Sequence, residues 1–425
     1  MTLPLIAGFR ADAPLLRHDG RWIAQGAFVA QAQALSRQLP EGGYAINLCG
    51  NRYRFLLGFA AACLRGQTNL LPSSPAPAAV ADVRARYPDC YELTDEQVAT
   101  DDAGTAAVCP RIARDHLGAV LFTSGSTGIP QPQPKSWHTL SAIARQLSQR
   151  LLNGAPAHIV ATVPSQHMYG LETTVLLALG GGCALYDGRP FFPQDVAQAL
   201  NDMPAPRVLV TTPVHLRALI ESATALPTLQ FVLSATAPLT EALAAACESA
   251  WGAPVLEIYG CTEAGSTATR RTLEGPTWHL LPDRRLIDRD GVATVQAEHF
   301  PEAVPLQDVL ELLGPEHFRL LGRSGDLLKV AGKRASLADL TQKLQAVPGV
   351  IDAVIFAAAG GEAARPAALV VAPGLSEAAI LQALAQQVDP VFLPRPLRMV
   401  ERLPRNELGK LPRQRLLEML ERAPD

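Results

Sequence analysis

The chain has 425 residues, 48% of them hydrophobic, so it can bury a large core and is not a disordered chain. Its formal net charge is −3 and its pI about 6.3, a balance that asks for neither nucleic acid nor an anionic membrane as partner. Seven cysteines, an odd number with no C-x-x-C pair, argue against a disulfide framework or a zinc site.

The N-terminus, MTLPLIAGFRADAPLL, lacks the basic start and sustained apolar stretch of a signal peptide. Apolar runs such as that around Val175–Leu179 are too short to span a bilayer, and a cytoplasmic protein is expected. Over the first ~320 residues, apolar runs alternate with amphipathic stretches, which predicts α/β layers with mostly parallel sheets. Five short β-type runs each end in small and polar residues. Gly118–Phe122 leads into TSGSTG, His158–Val163 into PSQHMYG, and Arg207–Thr211 into TPVH. Leu229–Leu233 leads into SATAPL, and Val255–Tyr259 into GCTEAG. Parallel strands would gather these loops at one sheet edge, where open α/β sheets bind ligands.

The texture changes after Arg323. Ser336–Asp339 resembles a capping box and starts a helix to about Ala346. Strands are expected at Ile351–Ala357 and Ala367–Val371, and helices at Ser376–Gln387 and Pro412–Arg422. The expected organisation is a large domain over 1–323 and a small mobile α+β domain over 326–425, with a hinge at 322–326.

Four motifs carry chemistry. TSGSTG offers glycine-permitted backbone N–H groups and the hydroxyls of Thr123, Ser124, Ser126 and Thr127, a nest suited to phosphate. YGCTEAG sets the Thr262 hydroxyl beside the Glu263 carboxylate, a hard oxygen donor for magnesium, with Tyr259 placed to stack on a base. GRSGDLLKVAGKR, residues 322–334, holds three glycines and four cations. PRNELGK puts Lys410 after a glycine. Singly, these read as readily as a Ser/Gly turn, a polar turn, a solvated basic loop and a surface lysine.

Together and in this order, the four motifs resemble the adenylate-forming superfamily of acyl-CoA synthetases and aryl-acid ligases, from about residue 45 to about 415. The resemblance implies ATP and Mg²⁺, an acyl-adenylate, and a phosphopantetheine thiol as the second substrate. It implies that Lys410 is the central catalytic cation and that Glu263 holds magnesium. Ser124, Gly125, Ser126, Thr127 and Gly128 would cradle the β- and γ-phosphates, with Thr123 at the loop's start and Thr262 at the α-phosphate. Ala235, Thr236, Ile258 and Tyr259 match adenine contacts, and Asp308 and Arg323 match ribose contacts. His167 matches a residue beside the acyl carboxylate. Met168, Tyr169, Gly170 and Cys261 would wall the acyl pocket. Gly325 falls at the hinge position, and the segment holding Lys329, Gly332 and Lys333 would replace Lys410 during thiol attack.

One departure narrows the reading. The residue after the loop proline, lysine in many relatives, is Gln131; the lysine arrives at Lys135 after alternating prolines. An extended, polyproline-like course displaces it by up to ~12 Å and leaves it a secondary role at most. With the CGNRYRFLLGFAAACLRGQTNLLP stretch, this resembles the compact hydroxybenzoate:acyl carrier protein ligases of xanthomonadin and aryl-polyene pigment biosynthesis. The expected substrate is then 3- or 4-hydroxybenzoate and the expected partner an acyl carrier protein. A ligase using coenzyme A, for aryl or medium-chain acids, is the alternative. A nucleotide-binding pseudoenzyme is disfavoured by Glu263, Asp308, Arg323 and Lys410. A P-loop ATPase is disfavoured by the missing Walker lysine.

Overall fold

The computed structural model describes residues 1–98, 103–123, 131–289, 292–323, 327–330, 333–358, 366–405 and 411–421, with the backbone alone at 323, 327, 329, 330, 333 and 334. Two compact units emerge. One comprises Met1–Gly275, His279–Arg284 and Gln296–Val304; the other comprises Pro276–Trp278, Arg285–Val295 and Pro305–Asp425.

The first unit carries two larger sheets, besides the two-stranded pairing of Thr2–Pro4 with Arg111–Ala113. In one, Cys90–Leu93, Tyr44–Asn47, Thr68–Leu71 and Leu117–Thr123 run parallel in that order, and Gln131–Ser136 closes the edge antiparallel. In the other, His158–Ala161, Arg207–Thr211, Phe231–Ser234 and Val255–Cys261 are adjacent parallel strands. Every residue of Phe231–Ser234 is buried, as a strand covered on both faces must be. Four of the five apolar runs thus became neighbours. The fifth, at Leu117–Thr123, lies in the other sheet, so the five loops do not leave one sheet edge as expected. Strand neighbours are chosen by pairing between distant segments, which a local apolar run does not encode.

Helix Arg52–Leu64 is buried at every residue except Arg54 and Leu64, so it is apolar nearly all round and sits in the core. Helix Trp137–Leu152 starts where the Ser136 hydroxyl accepts the Thr139 N–H at 3.1 Å, and ends at Asn153 in the left-handed region, φ 50°. Both helices pack into one apolar cluster with Leu171, Val175 and Leu233. Met168–Gly170 opens a helical run that passes through a π-turn at Leu171–Leu176 before resuming at Leu177–Gly180. Such turns shift the register by one residue and recur at functional sites.

The second unit contains the elements expected after Arg323. Helix Leu337–Gln345 is capped by Ser336, helices Glu377–Ala385 and Arg413–Glu421 follow, and Asp352–Ala357 pairs antiparallel with Pro366–Val371. The architecture is mixed α/β with parallel sheets and an α+β C-terminal part. All seven cysteines are free. No helix among the described residues is long and apolar enough to cross a membrane.

Candidate active site

Thr262, Glu263 and Ala264 form a tight turn between strand Val255–Cys261 and the antiparallel strand Gly265–Arg271, with Cys261 facing Gly265 across its neck. Two glycines make the turn possible. A Cβ on Gly260 would meet the Gly265 carbonyl, and the register shifts beside it, between Tyr259 and Gly260. Gly265 sits at φ +69°, and a Cβ there would meet the Glu172 carboxylate. The Thr262 and Glu263 side chains stay half-buried at the end of a parallel strand. Their hydroxyl and carboxylate are hard oxygen donors, a set that fits magnesium.

Beneath the turn lies a group of buried charges, of which only Lys135 figured in the sequence reading. Glu172, in the π-turn and 1% exposed, accepts the Ser266 N–H on both carboxylate oxygens at 3.0 Å and the Ser266 hydroxyl on one. Arg284, 3% exposed, donates to the Ala264 carbonyl at 3.4 Å and lies over the Phe300 ring. Lys135, 5% exposed, donates to the Glu263 carbonyl. Burial raises the Glu172 pKa, opposed by the Ser266 donors and the charges of Arg284 and Lys135. Burial also lowers Lys135, with Glu172 opposing, and lowers Arg284 to about 10. A lone acid inside the apolar stretch HMYGLETT was the available signal for Glu172. Arg284 carried none.

Of the residues expected to wall the acyl pocket, Met168 and Cys261 lie at the neck of the same turn. His167 is half-buried and precedes the helical run. The Tyr169 hydroxyl lies 2.9 Å from the Leu233 carbonyl and 3.1 Å from the Thr211 carbonyl, at the ends of two neighbouring strands. Burial pushes this phenol well above its usual pKa. Met168 is 7% exposed, with its Cε within reach of a Cβ on Gly265. Burial, with the Glu263 charge second, pushes the Cys261 thiol up to about 12, so Cys261 is a neutral side chain and not a nucleophile. Gly170 is required by close backbone approach, since a Cβ there would overlap the Pro164 carbonyl. Gly170→Ala is expected to cost about 1–3 kcal/mol of stability, read as a lower denaturant midpoint at unchanged m-value.

Of the expected adenine contacts, Ala235, Ile258 and Tyr259 are 7%, 8% and 8% exposed. Thr236 holds the left-handed conformation at φ 77°, uncommon for a β-branched residue and a mark of functional sites. In the second unit, Asp308 and Arg323 face each other across the hairpin of Asp308–Leu312 and His317–Arg323, so the two expected ribose contacts are cross-strand partners. Ser124, Gly125, Ser126, Thr127, Gly128, Gly325, Gly332 and Lys410 lie outside the described residues. Lys329 and Lys333 belong to the paired strands Leu327–Val330 and Lys333–Ser336.

Thr123 and Gln131, the described residues on either side of the TSGSTG motif, are cross-strand partners. The alternating prolines run extended, as expected, and Pro132 and Pro134 sit on an edge strand where a missing N–H is tolerated. Lys135 is then carried about 13 Å along the strand from Gln131, at ~3.3 Å per residue. It faces Ala119 in the register and donates to the Glu263 carbonyl.

The AMP-binding enzyme family matches residues 41–287. A 4-coumarate–CoA ligase of Halorhodospira halophila is 30% identical over 337 residues, 75% of this chain and 81% of that one. Another, of Rhodobacter capsulatus, is 33% identical over 234 residues, 55% of this chain but only 58% of that relative. Among solved structures, the o-succinylbenzoate CoA synthetase of Bacillus subtilis in complex with its acyl-adenylate intermediate superposes with a TM-score of 0.81. It is 18% identical, with 100% of this chain and 99% of that one covered. An anthranilate CoA ligase in complex with anthranoyl-AMP gives 0.77 at 16% identity, covering 98% of each chain. At these identities the two structures establish the fold. The family match, spanning more than half of the sequence, together with the Halorhodospira relative, places the chain in the AMP-binding enzyme family, as an acid–thiol ligase that activates its acid with ATP.

Proposed function

We propose that this ligase converts an aromatic carboxylic acid, 3- or 4-hydroxybenzoate, to its acyl-adenylate and then to a thioester on a phosphopantetheine thiol. The observation that carries the first step is the Thr262–Glu263 turn, which presents a hydroxyl and a carboxylate at the end of a parallel strand over three buried anchors. The aromatic substrate is supported by relatives named for 4-coumarate. Those names also favour coenzyme A as the thiol. An acyl carrier protein is the second reading, favoured by the proline-rich strand in place of the usual loop lysine. Pigment biosynthesis is the setting that this second reading brings with it.

Attack of a carboxylate on the α-phosphate brings two anions together, and the site must meet them with cations and donors. In this reading Lys410 supplies the central charge. Thr123 and residues 124–128 hold the β- and γ-phosphates, and Thr262 contacts the α-phosphate. Ala235, Thr236, Ile258 and Tyr259 hold adenine, while Asp308 and Arg323 hold ribose. Glu263 would hold magnesium, which when bound neutralises phosphate charge. His167 stands beside the acyl carboxylate and gates entry of the thiol, and Met168, Tyr169, Gly170 and Cys261 line the acyl pocket. After adenylation, rotation of a 326–425 domain about Gly325 exchanges Lys410 for the Lys329–Lys333 segment, and a thiol attacks. This is gating by conformational change.

The reading is tested by pyrophosphate release with ATP and magnesium across benzoate, the monohydroxybenzoates, 4-coumarate, octanoate and palmitate. A response led by the hydroxybenzoates is expected; one led by fatty acids would overturn the aromatic assignment. Thioester formation with coenzyme A against a phosphopantetheinylated carrier protein then decides the acceptor.

A further inference from the structure

We propose that Lys135 is a positioning residue for adenylation: with Glu172 and Arg284 it holds the Thr262–Ala264 turn by its backbone and so sets where the Glu263 carboxylate stands. The inference rests on the adenylation reading above.

Three buried charges from three separate elements converge on one short turn. Lys135 comes from the edge strand Gln131–Ser136, Glu172 from the π-turn, and Arg284 from the start of strand Arg284–Arg289. They bind three backbone groups within four residues: the Glu263 carbonyl, the Ala264 carbonyl and the Ser266 N–H. The period of two along the edge strand turns Lys135 inward, while Pro132 and Pro134 on its other face stay exposed.

Stability alone does not account for a lysine at this place. Taking an ammonium out of water is expensive, and Glu172 already has Arg284 and the Ser266 donors as partners. A charge-assisted hydrogen bond offers geometric specificity instead. Glu263 owns the carbonyl that Lys135 holds, so fixing that peptide plane fixes the origin of the Glu263 side chain. A displacement of ~1 Å at a reacting centre can lower the rate about 100-fold. The lysine that sequence spacing removes from the phosphate loop thus returns to the site from beneath, through the backbone of the acidic turn.

Lys135→Met and Lys135→Arg test this in the full-length enzyme. Lys135→Met is expected to stay folded, with a melting temperature within a few degrees of the parent. Its kcat for acid-dependent pyrophosphate release should fall at least about 10-fold, and half-saturating magnesium should rise at least about 3-fold. The KM for the acid should move less than about 2-fold, because Lys135 bonds the backbone of the turn at Glu263. Lys135→Arg, which keeps charge and donors, should recover part of the kcat. Hydrogen exchange at the amides of Ala264–Ser266 should be faster in Lys135→Met without ligands. A folded Lys135→Met with parental kcat and magnesium dependence would overturn the proposal. So would a loss of rate that Lys135→Arg fails to relieve at all. If the parent itself releases no pyrophosphate with any acid, the adenylation reading fails instead. The exchange measurement then decides by itself whether Lys135 holds the turn, and unchanged exchange would dismiss it.

Discussion

Lys410→Ala is expected to slow acyl-adenylate formation by about 100- to 1,000-fold, the usual consequence of removing one donor from a developing negative charge. Thioester formation from supplied acyl-adenylate should fall no more than a few-fold. The asymmetry follows from the order of events. Charge accumulates on the α-phosphate and the incoming carboxylate during the first step, where a cation contributes most. In the proposed second step Lys410 has left and the leaving group is already AMP. Both half-reactions are measurable separately, by pyrophosphate release and by thioester yield from synthetic adenylate. Equal losses in the two would remove Lys410 from the assigned role and point to damage in the C-terminal part as a whole.

Glu172→Ala should have the largest effect on stability, a loss of about 3–5 kcal/mol. Two cations, Lys135 and Arg284, are buried beside this carboxylate, and deleting it leaves both without their common counter-charge. The Ser266 N–H and hydroxyl lose their acceptor as well. A loss of that size is a large share of the 5–15 kcal/mol available to a typical fold. Glu172→Gln keeps an acceptor for the Ser266 N–H and should lose about half as much. Adding Lys135→Met to Glu172→Ala should return part of the loss, because one stranded cation disappears. Denaturant midpoints of the two single variants and the double variant measure the coupling. Strict additivity would show that Lys135 and Glu172 do not share their charge.

Much of the fold was legible because it is locally encoded. The runs at Arg207–Thr211 and Val255–Tyr259 are short, apolar and followed by polar turns, and each is a strand. The Ser336 cap and the helix it begins were equally plain. Family membership followed from the order of TSGSTG, YGCTE, GRSGD and PRNELGK, because each short motif keeps its chemistry contiguous. Sheet partners were less accessible, as Leu117–Thr123 shows: its apolar pattern matches those of the other four strands, yet it joins a different sheet.

The sequence by itself therefore determined the class of enzyme, the α/β layering and the turn that carries Thr262 and Glu263. Only the tertiary structure decided what supports that turn. Lys135, Glu172 and Arg284 are separated by 37 and 112 residues, and no local pattern links them. They meet because a one-residue register change in a helix, the inward face of an edge strand and the start of a distant strand all converge on one hairpin. Side-chain alternation sets that inward face, and the desolvation cost of a buried charge requires each of the three to find a partner there.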